Sequence, residues 1–130
     1  MADKRGCLPI HWAAQEGKLE ILQFLISYNH VDALGHQNRT ALSYAAQAGN
    51  ENIVNFLLAS KANASLADQN GNLPIHWAAS TGHLNILKSL LAHSDVNAKI
   101  STGNTILGIA AANGKTDIVE FLLTQKQTLI

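Results

Sequence analysis

The heptapeptide LPIHWAA occupies residues 8–14 and recurs unchanged at residues 73–79. Degenerate versions of the same string are TALSYAA at residues 40–46 and TILGIAA at residues 105–111. Successive Ala-Ala pairs in these four copies are separated by 32, 33 and 32 residues. A period near 33 that is kept over a whole chain is typical of a protein built from stacked, similar units.

Each copy is followed at a fixed distance by a glycine, an isoleucine and a pair of branched apolar residues. The glycines are Gly17, Gly49, Gly82 and Gly114, and the isoleucines are Ile21, Ile53, Ile86 and Ile118. A proline near the start and a glycine after the end are typical of a short helix, and the apolar residues that follow have the spacing of a second helix. Because one helix pair cannot cover its own apolar faces, we expect the four pairs to stack.

Composition indicates a single globular domain. The 130 residues are 47% apolar and 14% charged, with a formal net charge of zero. The zero charge and scattered basic residues give no support for a nucleic-acid or membrane partner. One cysteine, no long apolar run and no signal-peptide core lead us to expect a soluble chain in the reducing cytoplasm.

The four strings, together with glycine-x-x-x-Ile-Leu/Val-x-x-Leu-Leu after each, resemble the ankyrin repeat, whose 33-residue unit contains Thr-Pro-Leu-His-x-Ala. The resemblance extends from about Asp3 to about Thr124. It implies an all-α ankyrin-repeat solenoid of helix-turn-helix units joined by hairpin-like loops. We expect one domain over residues 1–130, with repeats at approximately 3–34, 35–67, 68–99 and 100–130.

This chain departs from the family pattern at several turn and motif positions. Gly35 and Ile100 replace the aspartate that opens the turn, which is present as Asp3 and Asp68. The first and third linkers are also one residue short, so we expect two hairpins to be slightly contracted. The last helix, 118–123, is followed by no polar capping helix, and we expect it to lack cover on one side.

Catalysis is not predicted from these residues. Cys7 and His11 are four residues apart with Asp3 nearby, an arrangement that superficially resembles a nucleophile, a base and an orienting acid. His11, however, stands at the motif histidine, which in the family bonds neighbouring backbone. The six histidines show no metal-ligand motif and no phosphate-binding loop is present, so we expect no catalytic residue, no metal and no cofactor.

The resemblance also implies where a partner binds. Ankyrin repeats bind protein partners on a concave side made of hairpin tips and the exposed face of the first helices. Carried over position by position, that side is polar, rich in amides and nearly neutral, and the alternative that these are only solvated positions stays open. Its residues are Lys4, Arg5, Gln15, Glu16, His36, Gln37, Arg39, Gln47, Gln69, Asn70, Asn72, Ser80, Thr81, Ser101, Thr102, Asn104 and Asn113.

A ladder of large side chains adds to this surface. The position after the motif histidine holds Trp12, Tyr44, Trp77 and Ile109. Because the units stack, these side chains become neighbours along the first helices. Two interpretations remain open: the rings are either packed against the hairpins or serve as anchors for a partner, and on the second interpretation the three aromatic residues join the binding set.

We therefore expect a non-catalytic module that binds a protein partner. The alternative is a substrate-targeting segment of a larger enzyme, for example a secreted bacterial effector that acts inside a host cell. We expect a monomer, with weak end-to-end association as the open alternative. Asn97 matches a hairpin asparagine that in this family is sometimes the substrate of asparaginyl hydroxylation, although a simple turn residue is the favoured interpretation.

Overall fold

A computed structural model of the chain describes residues 6–93 and 105–129, and their side chains as far as Thr124. Within these ranges the chain forms eight α-helices, one short 3-10 turn and no β-strand, which confirms the all-α prediction. The helices are α1 (Pro9–Glu16), α2 (Leu19–Leu25), α3 (Ala41–Ala48), α4 (Glu51–Ala59), α5 (Pro74–Thr81), α6 (Leu84–Leu91), α7 (Ile106–Ala112) and α8 (Thr116–Leu129), and the 3-10 turn is His36–Asn38. Consecutive pairs of helices form units one to four.

The two LPIHWAA copies begin their helices in the same way. The proline is the first helical residue, where no backbone N–H is needed. Nδ1 of His11 accepts the backbone N–H of Leu8 at 2.9 Å, and Nδ1 of His76 accepts that of Leu73 at 2.8 Å. The Nε2–H of His11 donates to the carbonyl of Ala33 at 2.8 Å. The motif histidine therefore caps its own helix and, in unit one, also holds the loop that leaves the unit.

The other two copies use threonine instead. Thr40 Oγ1 accepts the backbone N–H of Ser43 at 3.2 Å, and Thr105 Oγ1 accepts that of Gly108 at 3.3 Å. These are ordinary N-cap hydrogen bonds, which satisfy one of the free donors of the first turn. In these two copies a threonine cap therefore replaces the histidine cap.

First helices pack against one another along the stack. Helix α3 lies between α1 and α5, and α5 also contacts α7. Ala45 and Ala46 are fully buried at this crossing, and small side chains let the backbones approach closely. The second helices α4 and α6 meet on the other side of the stack, where Ile53 and Ile86 are buried. The alanine pair and the isoleucine therefore pack between units, as the stacking prediction requires.

Side chains that follow the capping glycines tie neighbouring units together. The amide Nδ2 of Asn50 donates to the carbonyls of Ala14 at 2.7 Å and Gln15 at 3.0 Å, at the end of the preceding first helix. The Nε2–H of His83 donates to the carbonyl of Gln47 at 3.2 Å in the same way. These bonds satisfy carbonyls that a helix end leaves without an internal partner.

The hairpin-like loops of units two and three have tips of equal length. The Gly35 N–H donates to the Arg39 carbonyl at 2.8 Å, and the Asp68 N–H donates to the Asn72 carbonyl at 2.9 Å. One hydrogen bond joins the two tips directly, from the N–H of residue 69 to the carbonyl of residue 37 at 2.8 Å. The contraction expected for the unit-two hairpin therefore does not lie in its tip.

The missing residue lies before the tip instead. Gly35 comes ten positions after Leu25, whereas Asp68 comes eleven positions after the equivalent Leu57. A Cβ atom at Gly35 would lie 2.8 Å from Nδ1 of His11, so the shortened segment brings its backbone against the histidine ring. The other short linker lies outside the described residues.

Among the side chains that the structure describes, those that are large, apolar and exposed lie mostly on unit one. On α8, Ile118 and Leu122 are buried and Leu123 is 44% exposed. On α2, Ile21 is 54% exposed and Phe24 is 65% exposed. We expected the last helix to be poorly covered, but among the described side chains the second helix of unit one is covered less well.

We predict that α2 is the least protected of α2, α4 and α6 in amide hydrogen exchange. Leu22 is its one buried residue, whereas α4 and α6 each bury three. Local opening of α2 therefore exposes less apolar surface, and its amides should exchange on the order of tenfold faster. Hydrogen exchange followed by mass spectrometry, at micromolar concentration, checks this. Equal protection of the three helices would contradict it.

Replacing Gly82 with valine should lower the free energy of unfolding by about 1–2 kcal/mol. Gly82 ends α5 with a φ of 86°, a left-handed conformation that a β-branched residue resists. The added Cβ would meet only the flexible side chain of Lys115, at 3.0 Å, so backbone strain accounts for the loss. Urea denaturation followed by circular dichroism measures it.

A substitution at Gly108 should have the opposite effect on stability. This glycine lies inside α7, and a Cβ there would have one neighbour within 4 Å, Thr105 Oγ1 at 3.8 Å. Gly108→Ala should therefore raise the free energy of unfolding by about 0.5–1 kcal/mol, because alanine loses less backbone entropy than glycine in a helix. A loss of stability in Gly108→Ala would show that α7 is not helical at this position.

Candidate functional site

A depression of about 290 Å³ lies between α5 and α7, the first helices of units three and four. We call it the α5–α7 groove. Its lining comes from one hairpin loop, from both helices and from the residue that follows α7. The lining residues are Asn72, His76, Trp77, Ser80, Ile109, Ala112 and Asn113.

The groove brings together four residues of the predicted binding surface. Asn72, Trp77, Ser80 and Asn113 come from two units and are separated by up to 41 positions in the chain. Ile109 was placed on the ladder of large side chains but not in the binding set, because an apolar residue at that position gave no polar signal. The structure shows that it lines the same groove as Trp77.

Two further lining residues were missed by the sequence analysis. His76 caps α5 and gave no signal of a second role, and Ala112 is a small residue with no chemical signature. The helical period could have found Ala112, since it lies three residues after Ile109 and therefore on the same face of α7. The groove is thus a mixture of apolar walls and uncharged polar groups.

None of the described lining residues is an Asp, Glu, Lys or Arg, but a buried cation lies close to the groove. The guanidinium carbon of Arg39 lies 4.2 Å from the ring centroid of Tyr44 and 4.1 Å from that of Trp77. Its Nε–H donates to Ser43 Oγ at 3.0 Å, and its terminal nitrogen Nη2 donates to the Ser43 carbonyl at 3.3 Å. Arg39 is thus held between two aromatic rings from successive units, a favourable cation–π geometry.

Burial lowers the pKa of the Arg39 guanidinium from its ordinary value, and nearby Tyr44, Asp68 and Cys7 oppose that shift. Arg39 is 7% exposed and Asp68 is 8% exposed. The prediction that Arg39 is a surface residue is wrong, and of the two interpretations of Tyr44 the packed one applies, because both side chains are buried. Arg39 lies inside because the ring of Trp77, which belongs to the next unit, covers its guanidinium.

Trp77 is held in place from two directions. Its Nε1–H donates to Asp68 Oδ2 at 3.1 Å, and the other carboxylate oxygen of Asp68 accepts the backbone N–H groups of Asn70 and Asn72, each at 2.9 Å. Arg39 approaches the ring from unit two, whereas the groove lies toward unit four. Trp77 is therefore a fixed wall between a buried polar cluster and an open groove.

Members of the predicted ladder differ in burial. Tyr44 and Ile109 are buried at 7% and 8% exposure, Trp77 is half-buried, and Trp12 is 37% exposed. Tyr44 therefore packs in the core, whereas Trp77 has both a packed side and a side that lines the groove. Neither of the two interpretations of the ladder describes all four positions.

The remaining predicted surface residues are spread along the stack. Exposed side chains are Gln15, Glu16, Gln37, Gln69 and Asn70, and half-buried ones are His36, Gln47 and Thr81. The Nδ2 amide of Asn113 donates to the Ile109 carbonyl at 2.8 Å, so this amide is anchored to its own helix. Lys4, Arg5, Ser101, Thr102 and Asn104 lie outside the described residues, as do Asn97 and Asp3.

Groups that could support catalysis are engaged in structural contacts. Cys7 is 3% exposed, and its Sγ lies 3.3 Å from the hydroxyl oxygen of Tyr44. Both ring nitrogens of His11 are bonded to backbone groups. In the described part of the chain, no three His, Cys, Asp or Glu residues are grouped so that they could hold a metal ion.

Two larger depressions, of about 390 and 380 Å³, lie at the starts of the second helices. They are about one unit apart, and both include Gly49 and Glu51. Their recurrence indicates that they are seams between stacked units. The α5–α7 groove is therefore the better candidate, because it contains positions that were predicted to bind a partner.

The helix pairs, inter-unit caps and paired hairpin loops define a helical-repeat solenoid. In the described ranges, no helix has the length and apolar character needed to cross a membrane. A sequence model for ankyrin repeats (three copies) matches residues 1–68 and 57–129, so the chain belongs to the ankyrin-repeat family. Domains of this family are generally protein–protein interaction modules and are typically non-catalytic.

Replacing Arg39 with lysine should lower the free energy of unfolding by about 1–2 kcal/mol. Lysine keeps the charge but cannot stack flat between Tyr44 and Trp77 while donating to Ser43. Lys88→Arg is the matched control, because Lys88 is an exposed cation 5.1 Å from the ring centroid of Phe121 and should change stability by less than about 0.5 kcal/mol. If both variants melt like the unmodified chain, stacking of Arg39 contributes little.

Proposed function

We propose that this domain is a non-catalytic binding module that holds a protein partner on its concave side, with the α5–α7 groove as the principal contact. The concave side is the surface formed by the hairpin loops and the first helices. One observation carries the proposal: four positions predicted to bind, namely Asn72, Trp77, Ser80 and Asn113, line a single groove together with Ile109. Three of these positions, Asn72, Ser80 and Asn113, hold polar residues, which packing alone does not require.

The groove has the composition of an interface centre. Trp77, Ile109 and Ala112 supply apolar walls, and Asn72 and Ser80 add uncharged polar groups at the side. An aromatic ring held rigidly before binding loses little conformational freedom when a partner docks, which favours affinity. We therefore infer that the partner inserts one apolar side chain and forms hydrogen bonds with the amide and hydroxyl groups around it.

The uncharged character of the described lining residues has a consequence for the kind of partner. Contacts between neutral groups are affected little by salt, whereas a charged interface would weaken as salt is added. The remaining exposed candidates, among them Gln15, Gln69 and Asn70, are also amides and extend the same chemistry along the concave side. We propose a cytoplasmic location for this binding, and a substrate-targeting role within a larger enzyme would use the same surface.

Filling the groove tests this proposal without removing a packed side chain. Ala112 is exposed at the end of α7 and lines the groove. Ala112→Phe should leave the free energy of unfolding within about 0.5 kcal/mol of the unmodified chain. It should weaken partner binding by about tenfold or more, which corresponds to about 1.4 kcal/mol. Affinity capture with the purified chain supplies the partner, and calorimetry with that purified partner gives the dissociation constant.

Ala59→Phe is the matched control, because Ala59 is an exposed residue at the end of the second helix α4. A partner that binds the concave side should be kept by Ala59→Phe and lost by Ala112→Phe. Equal binding by both variants would contradict the groove as the contact site. Loss of binding in Ala59→Phe alone would move the site to the second helices.

A further inference from the structure

An apolar surface unrelated to the groove lies on α2 and the turn that follows it. Ile21, Phe24 and Tyr28 are 54%, 65% and 73% exposed, and the rings of the last two lie 5.5 Å apart. We call these three residues the α2 outer face. Large apolar side chains exposed together on a folded domain commonly mark an interaction surface.

Equivalent positions in the other units show what this kind of face contacts. Ile53 and Ile86 are each 2% exposed and Ile118 is 0% exposed, compared with 54% for Ile21. In the described part of the chain, α6 contacts α4, the second helix of the preceding unit, and the first helices of successive units also contact one another. The α2 outer face is therefore the docking face for a preceding unit, and no described element lies against it.

The exposure of the phenylalanine side chains differs between the units in the same way. Phe24 is 65% exposed, whereas Phe56 and Phe121 at the equivalent positions are half-buried against the core. The ring of Phe121 is approached by Lys88 of the preceding helix, whose Nζ lies 5.1 Å from the ring centroid. Phe24 would therefore be covered by a preceding unit, through the residue at the position equivalent to Lys88.

The opposite end of the stack presents the complementary face. Leu123 on α8 is 44% exposed, whereas Leu58 and Leu91 at the equivalent positions are half-buried. Glu120, which is exposed, is the counterpart of Lys88. We call Glu120 and Leu123 the α8 outer face. It is the kind of face that covers the next unit within the stack.

We propose that two copies of this chain associate head to tail, with the α8 outer face of one copy on the α2 outer face of the other. The contact extends the packing of successive units that is seen between α4 and α6, where the equivalent residue of α6, Ile86, is 2% exposed. A formal net charge of zero means that copies do not repel one another at long range. Because the two faces differ, the contact is heterologous and can propagate to longer chains of copies.

Sedimentation of the purified 130-residue chain tests association directly. The weight-average mass should rise above 13.9 kDa between micromolar and millimolar concentration. Ile21→Asp and Leu123→Asp should each raise the dissociation constant by about tenfold or more, because each places a charge in the apolar contact. Both residues are exposed, so circular dichroism should show that both variants fold.

Leu34→Asp is the control for adding a charge at an exposed leucine. Leu34 is 50% exposed in the loop after unit one, and the equivalent Ala67 is also exposed, so this position is not part of the contact between units. Association should be unchanged in Leu34→Asp. Equal weakening in Leu34→Asp and Ile21→Asp would overturn the assignment of the α2 outer face.

Mixing the two end variants identifies the direction of the contact. Ile21→Asp keeps a functional α8 outer face and Leu123→Asp keeps a functional α2 outer face, so an equimolar mixture should form a one-to-one complex that grows no further. A contact between two α2 outer faces would instead leave Leu123→Asp self-associating and would overturn the head-to-tail proposal. A strictly monomeric unmodified chain at millimolar concentration would also overturn it.

Discussion

Close contact between the first helices is the constraint on which the rest of this structure depends. Ala45 and Ala46 have no exposed surface, and their small side chains let α3 lie directly between α1 and α5. That contact sets the distance between units, so the second helices and the hairpin loops of successive units must pack at the same spacing. The isoleucines between second helices and the hydrogen bond between the two hairpin tips are both made at this one spacing.

Features of the fold that could be predicted from the sequence are those that a single unit specifies. The capping contact of His11, the threonine cap at Thr40 and the left-handed glycine at Gly82 depend on a few neighbouring residues. They recur with the period of the chain, so each copy supports the interpretation of the others. Four of the groove residues were also predicted, because the period shows which positions come together and which of them no packing role explains.

Features that could not be predicted depend on contacts between units. Arg39 has the polar character of a surface residue, and only the positions of Tyr44 and Trp77 on either side show that it is enclosed. Ile109 and Ala112 line the groove although their residue types indicate packing alone. The position of the missing linker residue within the loop could not be predicted, because the spacing between motifs measures a total length and does not locate the change within it.

A one-dimensional stack also couples its surfaces to its stability. Each unit contacts only its neighbours, so the free energy of the fold is divided among junctions. The α5–α7 groove lies across the junction of units three and four, and a partner that contacts both Trp77 and Ile109 binds only when that junction is formed. Binding therefore stabilises this junction in proportion to the logarithm of partner concentration above the dissociation constant. Trp77 extends the effect to unit two through Arg39, because its ring contacts the guanidinium while it lines the groove.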